Sequence, residues 1–178
     1  MTKTDKKHIL LCVTGGIAAY KAIDLASRLI KQGLEVKTIL TKNAQEFVTE
    51  LNFKAITKNT THTGMFDYTD PIPHISLADW ADLIVVAPAT ANMIAKAAHG
   101  LADDLMSSVI LAHTKPILWV PAMNVHMYSH PATQENIQTL KNRKDYVLEP
   151  VTGVLACGYE GKGKFPPAED VITAIQIY

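Results

Sequence analysis

Small hydroxyl, amide and glycine residues follow apolar runs at four points in this chain. Thr14-Gly15-Gly16-Ile17-Ala18-Ala19-Tyr20-Lys21 comes directly after His8-Ile9-Leu10-Leu11-Cys12-Val13. Glycines there let the backbone approach a partner closely, and the start of a following helix offers unpaired N–H groups to an anion. The spacing matches neither GxxxxGK[ST] nor GxGxxG. The segment therefore reads equally as a ligand-binding turn and as a tight turn packing helix on strand. Thr41-Lys42-Asn43-Ala44 puts a hydroxyl and an amide at the end of a second strand-like run, where ligands gather in open α/β sheets. Pro88-Ala89-Thr90-Ala91-Asn92-Met93 suits a flat cofactor lying against backbone, or a plain helix cap at Thr90. Pro121-Ala122-Met123-Asn124-Val125-His126-Met127-Tyr128 sets a polar Asn124 among methionines, where it must find partners or bind something.

Titratable groups are fewer. His74, in Pro73-His74-Ile75-Ser76-Leu77, carries an imidazole able to exchange protons near neutrality, though a lone histidine is more often structural or solvated than catalytic. His126 and His130 lie four apart with no third ligand at metal spacing, and read as two surface histidines. His8, His62, His99 and His113 suggest no role. Cys12 sits in a strand-like run as inert filler. Cys157, between Ala156 and Gly158, is poorly placed for core packing. Two cysteines build neither a disulfide framework nor a four-cysteine zinc site.

The elements that must position these groups follow from periodicity. Ile17–Lys31 is patterned as a helix with Ala18, Ala22, Leu25, Ala26 and Leu29 on one stripe, stopped at Gly33. Glu35–Leu40 alternates like a strand, and Thr41 can cap a helix running through Glu50. This strand–helix–strand–helix order predicts a parallel sheet with crossover helices. Residues 57–73 read as a loop, and 82–88 and 116–121 as buried strands. Helices are expected at about 91–98, 102–112 and 131–142, a strand at 145–148, and a closing helix from Glu169. The glycine-rich stretch 157–164 is expected to be a mobile flap. With 178 residues, 48% of them hydrophobic, the chain fits one folded domain. Seventeen basic and seventeen acidic residues argue against a general nucleic-acid binder or a polybasic membrane anchor. No signal peptide or membrane-spanning run is visible, so a cytoplasmic protein is expected.

Four motifs occur in order: His74-Ile75-x-Leu77-x-x-Trp80-Ala81-Asp82, Ala87-Pro88-Ala89-Thr90-Ala91-Asn92, Pro121-Ala122-Met123-Asn124-x-x-Met127, and Ala156-Cys157-Gly158-x-x-Gly161-x-Gly163. Together they make the chain resemble the homo-oligomeric flavin-containing cysteine decarboxylases, over about residues 7–175. Within that family the resemblance is to the branch that decarboxylates 4'-phosphopantothenoylcysteine in coenzyme A biosynthesis. It implies a single Rossmann-like three-layer α/β/α sandwich with a parallel sheet, flavodoxin-type, that holds FMN non-covalently. It also implies sites between subunits of a homotrimer, four of which form a dodecamer in some members. Gly15, Gly16 and Ile17, with Thr41 and Asn43, would meet the FMN phosphate. Thr90, Ala91, Asn92 and Met93, with Ala122, would meet the flavin. His74, Asn124 and Cys157 fall on catalytic positions, and Asn124, Ala156, Cys157 and Gly158 would hold substrate. No metal and no nicotinamide cofactor is implied.

Three positions depart from the pattern. Met93 stands where many members have threonine, Tyr128 where tryptophan is common, and Asp79 where a basic residue often precedes the tryptophan. The substrate-making ligase, fused to this domain in some bacteria, is expected on a separate chain. Two other functions are weighed. A decarboxylase of peptidyl cysteine would share the motifs. A non-catalytic flavin-binding regulatory subunit fits less well with His74, Asn124 and Cys157 all in place.

Overall fold

The structure, a computed structural model, describes residues 6–66, 70–156 and 158–177. The first half runs β1 (His8–Val13), α1 (Ala19–Lys31), β2 (Glu35–Leu40), a 3-10 turn (Lys42–Glu46), α2 (Glu50–Thr57), β3 (Thr61–His62) and α3 (Pro73–Trp80). Then come β4 (Leu83–Ala89), α4 (Ala91–His99), α5 (Leu105–Ala112), β5 (Leu118–Pro121), α6 (Val125–Ser129) and α7 (Pro131–Asn142). The chain closes with β6 (Tyr146–Val147), β7 (Val151–Val154), β8 (Glu160–Lys164) and α8 (Ala168–Ile177).

Six strands form one sheet in the order β3-β2-β1-β4-β5-β6, and every pairing in it is parallel. Alternate residues of β1 feed opposite faces. Ile9, Leu11 and Val13 join the α1, α2 and α8 side, while Leu10 and Cys12 join the layer of α3, α4, α5 and α7. All seven residues of β4 are buried, as a strand covered on both faces requires. This is the three-layer α/β/α sandwich. Setting aside the two-residue edge strand β3, the order is that of flavodoxin-like sheets. The chain winds outward from β1 in one direction, then restarts at β4 in the other. The carboxyl ends of β1 and β4 therefore flank a crevice.

Three local expectations are corrected. The helix expected from Thr41 through Glu50 is two pieces. Thr41 caps only the 3-10 turn, with Oγ1 accepting from Ala44 N at 3.2 Å. Thr49 is extended and starts α2 through a capping box with Asn52. The loop expected at 57–73 contains β3, whose Thr38↔Thr61 register adds it to the sheet edge. The expected glycine flap is a paired strand: β8 runs antiparallel to β7, with Thr152 opposite Lys162. Its glycines serve packing. A Cβ on Gly161 would stand 2.7 Å from Val125 Cγ2, and one on Gly163 only 2.3 Å from Met123 O. Bare backbone is what lets β8 lie against the turn after β5.

Candidate active site

Four segments converge at the carboxyl edge of the sheet around a cavity of about 490 Å³. The turn after β1 contributes Gly15 to Ala18, the turn after β4 contributes Thr90 and Ala91, and the turn after β5 contributes Ala122 to Asn124. The β7–β8 hairpin and the residues beyond it contribute Val154 to Ala156 and Gly163 to Phe165.

Each turn is held by identifiable bonds. Thr14, buried at the end of β1, donates from Oγ1 to Pro88 O at 2.7 Å and accepts from Thr90 N at 3.0 Å. One hydroxyl thus pins the first turn to the second. Gly15 backs onto the 3-10 turn, where a Cβ would come within 2.4 Å of Asn43 Cβ; Gly16 faces open space, its nearest neighbour 3.9 Å away. α1 has no side-chain cap at Ala18; in its first turn Ala19 N donates to Gly16 O at 2.9 Å and Lys21 N to Ala18 O at 3.0 Å, and the positive end of the helix dipole faces the cavity mouth. Thr90 caps α4, accepting from Met93 N at 3.4 Å, and lines the cavity as well. Asn124 caps α6 with its side-chain oxygen, which accepts from His126 N at 2.8 Å. Its amide nitrogen is the group with which it donates.

The cavity's electrostatics favour a negative ligand. Lys21 and Lys164 line it, and among the described residues no carboxylate does. Lys21 Nζ stands 5.5 Å from the Phe165 ring centroid. Burial, and then the nearby Lys164 charge, hold the Lys21 ammonium below its ordinary pKa. An anion between the two would offset the Lys164 repulsion and favour the charged ammonium. Ile17, Met127 and Val154 add apolar walls that remain well exposed.

Of the residues singled out from sequence, Gly15, Gly16, Ile17, Thr90, Ala91, Ala122, Asn124 and Ala156 line the cavity. Thr41 and Asn43 stand behind Gly15 rather than on the cavity wall. Met93 is buried in the core under the α4 turn and does not line the cavity. Asn92 is exposed, and it and Gly158 are not part of the lining. Cys157 lies outside the described residues. His126 is exposed and sets its ring edge-on to Tyr159, 5.1 Å between centroids; His130 caps α7. Cys12 is fully buried, and burial pushes its thiol pKa far up, which suits inert filler.

His74 also lies at the carboxyl edge, since α3 runs back toward the start of β4, but it does not line the cavity of its own chain. Its Nδ1 is buried and has no hydrogen-bond partner among the described residues. Beside it Ile72 and Ile75 are exposed, at 53% and 43%. Thr14 and Lys21, which lie in the first motif, and Lys164 contribute in ways the motif by itself did not assign. For Lys21 a signal existed: it falls one helical turn after Ile17, on the same face of α1. A second cavity, about 370 Å³, opens at the amino edge near Lys115 and Asp145, and none of the motif residues lines it.

A doubly wound parallel sheet with a cationic, apolar-walled cavity at its switch point defines a flavodoxin-like nucleotide-binding protein. The flavoprotein family model matches residues 1–177, and the chain belongs to that family. The coenzyme A biosynthesis bifunctional protein CoaBC of Bacillus subtilis (strain 168) is 48% identical over 170 residues, 94% of this chain and 42% of that protein. The chain thus spans less than half the length of this relative. A cysteine-to-serine mutant of PPC decarboxylase complexed with pantothenoylaminoethenethiol is similar in structure. Its TM-score is 0.85 at 28% identity, covering 97% of both chains. The FMN-dependent cysteine decarboxylase SpaF gives 0.81 at 29% identity, covering 97% of this chain and 98% of that one.

Proposed function

We propose that this chain is an FMN-dependent decarboxylase. It would remove the cysteine carboxyl of 4'-phosphopantothenoylcysteine to yield 4'-phosphopantetheine and CO2 in coenzyme A biosynthesis. The observation that carries this reading is the switch-point cavity, with Asn124 on one wall and the uncapped α1 terminus, Lys21 and Lys164 on another. The named activities of the bifunctional relative and of the two decarboxylase structures support it.

The residues present fit a phosphorylated flat ring. The space in front of Gly16, the positive end of the α1 dipole and the two lysines suit a phosphate. Thr90, Ala91 and Ala122 leave a low backbone floor, and Ile17 supplies an apolar wall. FMN held there supplies a reversible two-electron sink, without which a cysteine carboxylate has no route for its electrons on losing CO2. The chain's own groups then have defined tasks. Asn124 donates from its amide nitrogen to the substrate carboxylate or amide. His74 takes the substrate thiol proton with its imidazole. Cys157, a thiol protonated at neutral pH, returns a proton to the product. Ala156, on the cavity wall, contacts the substrate. The hairpin excludes water.

His74 is absent from the cavity lining of its own chain, so the site is completed by a second copy. The exposed Ile72 and Ile75 around His74, and the exposed Ile17, Met127 and Val154 at the cavity, supply apolar surface for that contact. A homotrimer closes such head-to-tail contacts in a ring. Purified protein should be yellow, release FMN on denaturation, and form 4'-phosphopantetheine from 4'-phosphopantothenoylcysteine while leaving a peptide ending in cysteine intact. Turnover of the peptide alone would replace this substrate assignment, and colourless protein that binds no added FMN would end the reading.

A further inference from the structure

The hairpin β7–β8 stands apart from the main sheet, and most of its side chains are exposed or only partly buried. A two-stranded hairpin on its own is at best marginally stable in water. Yet it forms a wall of the cavity, and something other than apolar burial must hold it. Glu149, in the link between β6 and β7, gathers donors from three elements onto one carboxylate. Its Oε2 accepts from Tyr128 OH of α6 at 2.5 Å and from Lys162 Nζ of β8 at 2.9 Å. Its Oε1 accepts from Lys141 Nζ of α7 at 2.7 Å. Lys162 Nζ also stands 5.7 Å from the Tyr128 ring centroid. The same seam is closed by Met123 N, which donates to Gly163 O at 3.0 Å.

We propose that Glu149 is a positioning residue, whose carboxylate ties Lys162 of the hairpin and Tyr128 of α6 together and so sets the cavity wall against the helix that begins at Asn124. Only the consequence for turnover rests on the decarboxylase reading. Partial burial pushes the Glu149 carboxyl up, but the hydrogen bonds from Lys141, Tyr128 and Lys162 outweigh it and hold the pKa at about 2. The carboxylate is therefore charged, and the tie formed, across the neutral range. An isolated exposed ion pair contributes little. This one shares its oxygens with a phenol and bridges segments that no long helix or sheet joins.

Amide hydrogen exchange on the flavin-loaded protein tests the tie without turnover. A hydrogen bond to a charged group is worth enough to shift a local opening equilibrium roughly tenfold. Glu149→Gln should therefore speed exchange across 151–164 by roughly that factor while α8 is unchanged, and Glu149→Asp should recover part of the loss. Tyr128→Phe and Lys162→Met should each give a smaller rise at the same amides. In assays, Glu149→Gln should raise KM for 4'-phosphopantothenoylcysteine severalfold more than it lowers kcat. Parent-like exchange in all four variants overturns the tie, and raised exchange with parent-like KM overturns the positioning role. If the decarboxylase reading fails, the parent itself is inactive while the exchange difference persists, which keeps the two failures distinct.

Discussion

Gly15 and Gly16 are adjacent glycines with different reasons to be glycine. A methyl group on Gly15 would meet Asn43 Cβ at 2.4 Å and its backbone carbonyl carbon at 2.7 Å; one on Gly16 meets nothing closer than 3.9 Å. Gly15→Ala should therefore cost about 1–3 kcal/mol through forced backbone movement. Gly16→Ala should melt within a degree or two of the parent, whereas Gly16→Asp should fold and lose flavin through charge repulsion. Thermal unfolding and flavin absorbance check the pair, and a stable Gly15→Ala would contradict the packing. The two cysteines separate in the same way. Cys157→Ser keeps the shape with a far weaker acid, and should release CO2 while accumulating the unsaturated enethiol in place of the saturated thiol. Mass spectrometry distinguishes the two products, and saturated product at the parent rate would remove Cys157 from protonation. Cys12→Ser should alter stability alone, because that thiol is buried and protonated.

At the scale of elements, the site depends on how strand ends are joined. The Thr14 hydroxyl links the ends of β1 and β4 by accepting from Thr90 N and donating to Pro88 O. Thr14→Val removes both bonds and leaves the Thr90 N–H without its acceptor, at a cost of about 1–3 kcal/mol. Thr14→Ser should restore most of it. Flavin dissociation constants should follow the same order, and equal affinity in Thr14→Val would show that the link does not shape the cavity. Helices legible in the sequence were those whose signals are local. Residues 131–142 carry a proline start and a helical stripe, and α7 has those bounds. The 41–50 segment divides in two because both Thr41 and Thr49 carry capping signals. The Thr49–Asn52 pair decides where α2 begins. In β8 the glycine count suggested freedom, whereas the backbone is held against Val125 and Met123.

At the scale of the whole molecule, the separation of His74 from the Asn124 cavity gives a direct test of a shared site. His74→Asn and Asn124→Ala subunits should each be inactive alone. Mixed by unfolding and refolding together, they should regain roughly a quarter of parent activity, the chance that two neighbours each supply an intact half. No recovery in verified mixed oligomers would place both groups in one chain's site. Stability should also fall in acid. Asp82 is held below the ordinary carboxyl value mainly by the His8 N–H. In Asp104 burial pushes upward but the bonds from Ser107 and Lys96 win, as the bonds around Glu149 do there. Each lowered group contributes stability present above its unfolded pKa and lost as pH falls through the folded one. The melting temperature should therefore drop from about pH 4 downward. A flat profile down to pH 3 would contradict these assignments.

The chain's own residue order determined the fold class. Continuous apolar strands alternating with striped helices have few packings other than a covered parallel sheet. Sequence also located the turns after β1, β4 and β5, because small residues at strand ends are local signals. What only the tertiary structure decided are the long-range meetings. Lys21 and Lys164 share one cavity across 143 residues of chain, and Glu149 collects donors from three elements. His74 stands at the same edge as Asn124 but outside its cavity. Such distances depend on how strands order and how helices cross them, and neither is written in any window of neighbouring residues.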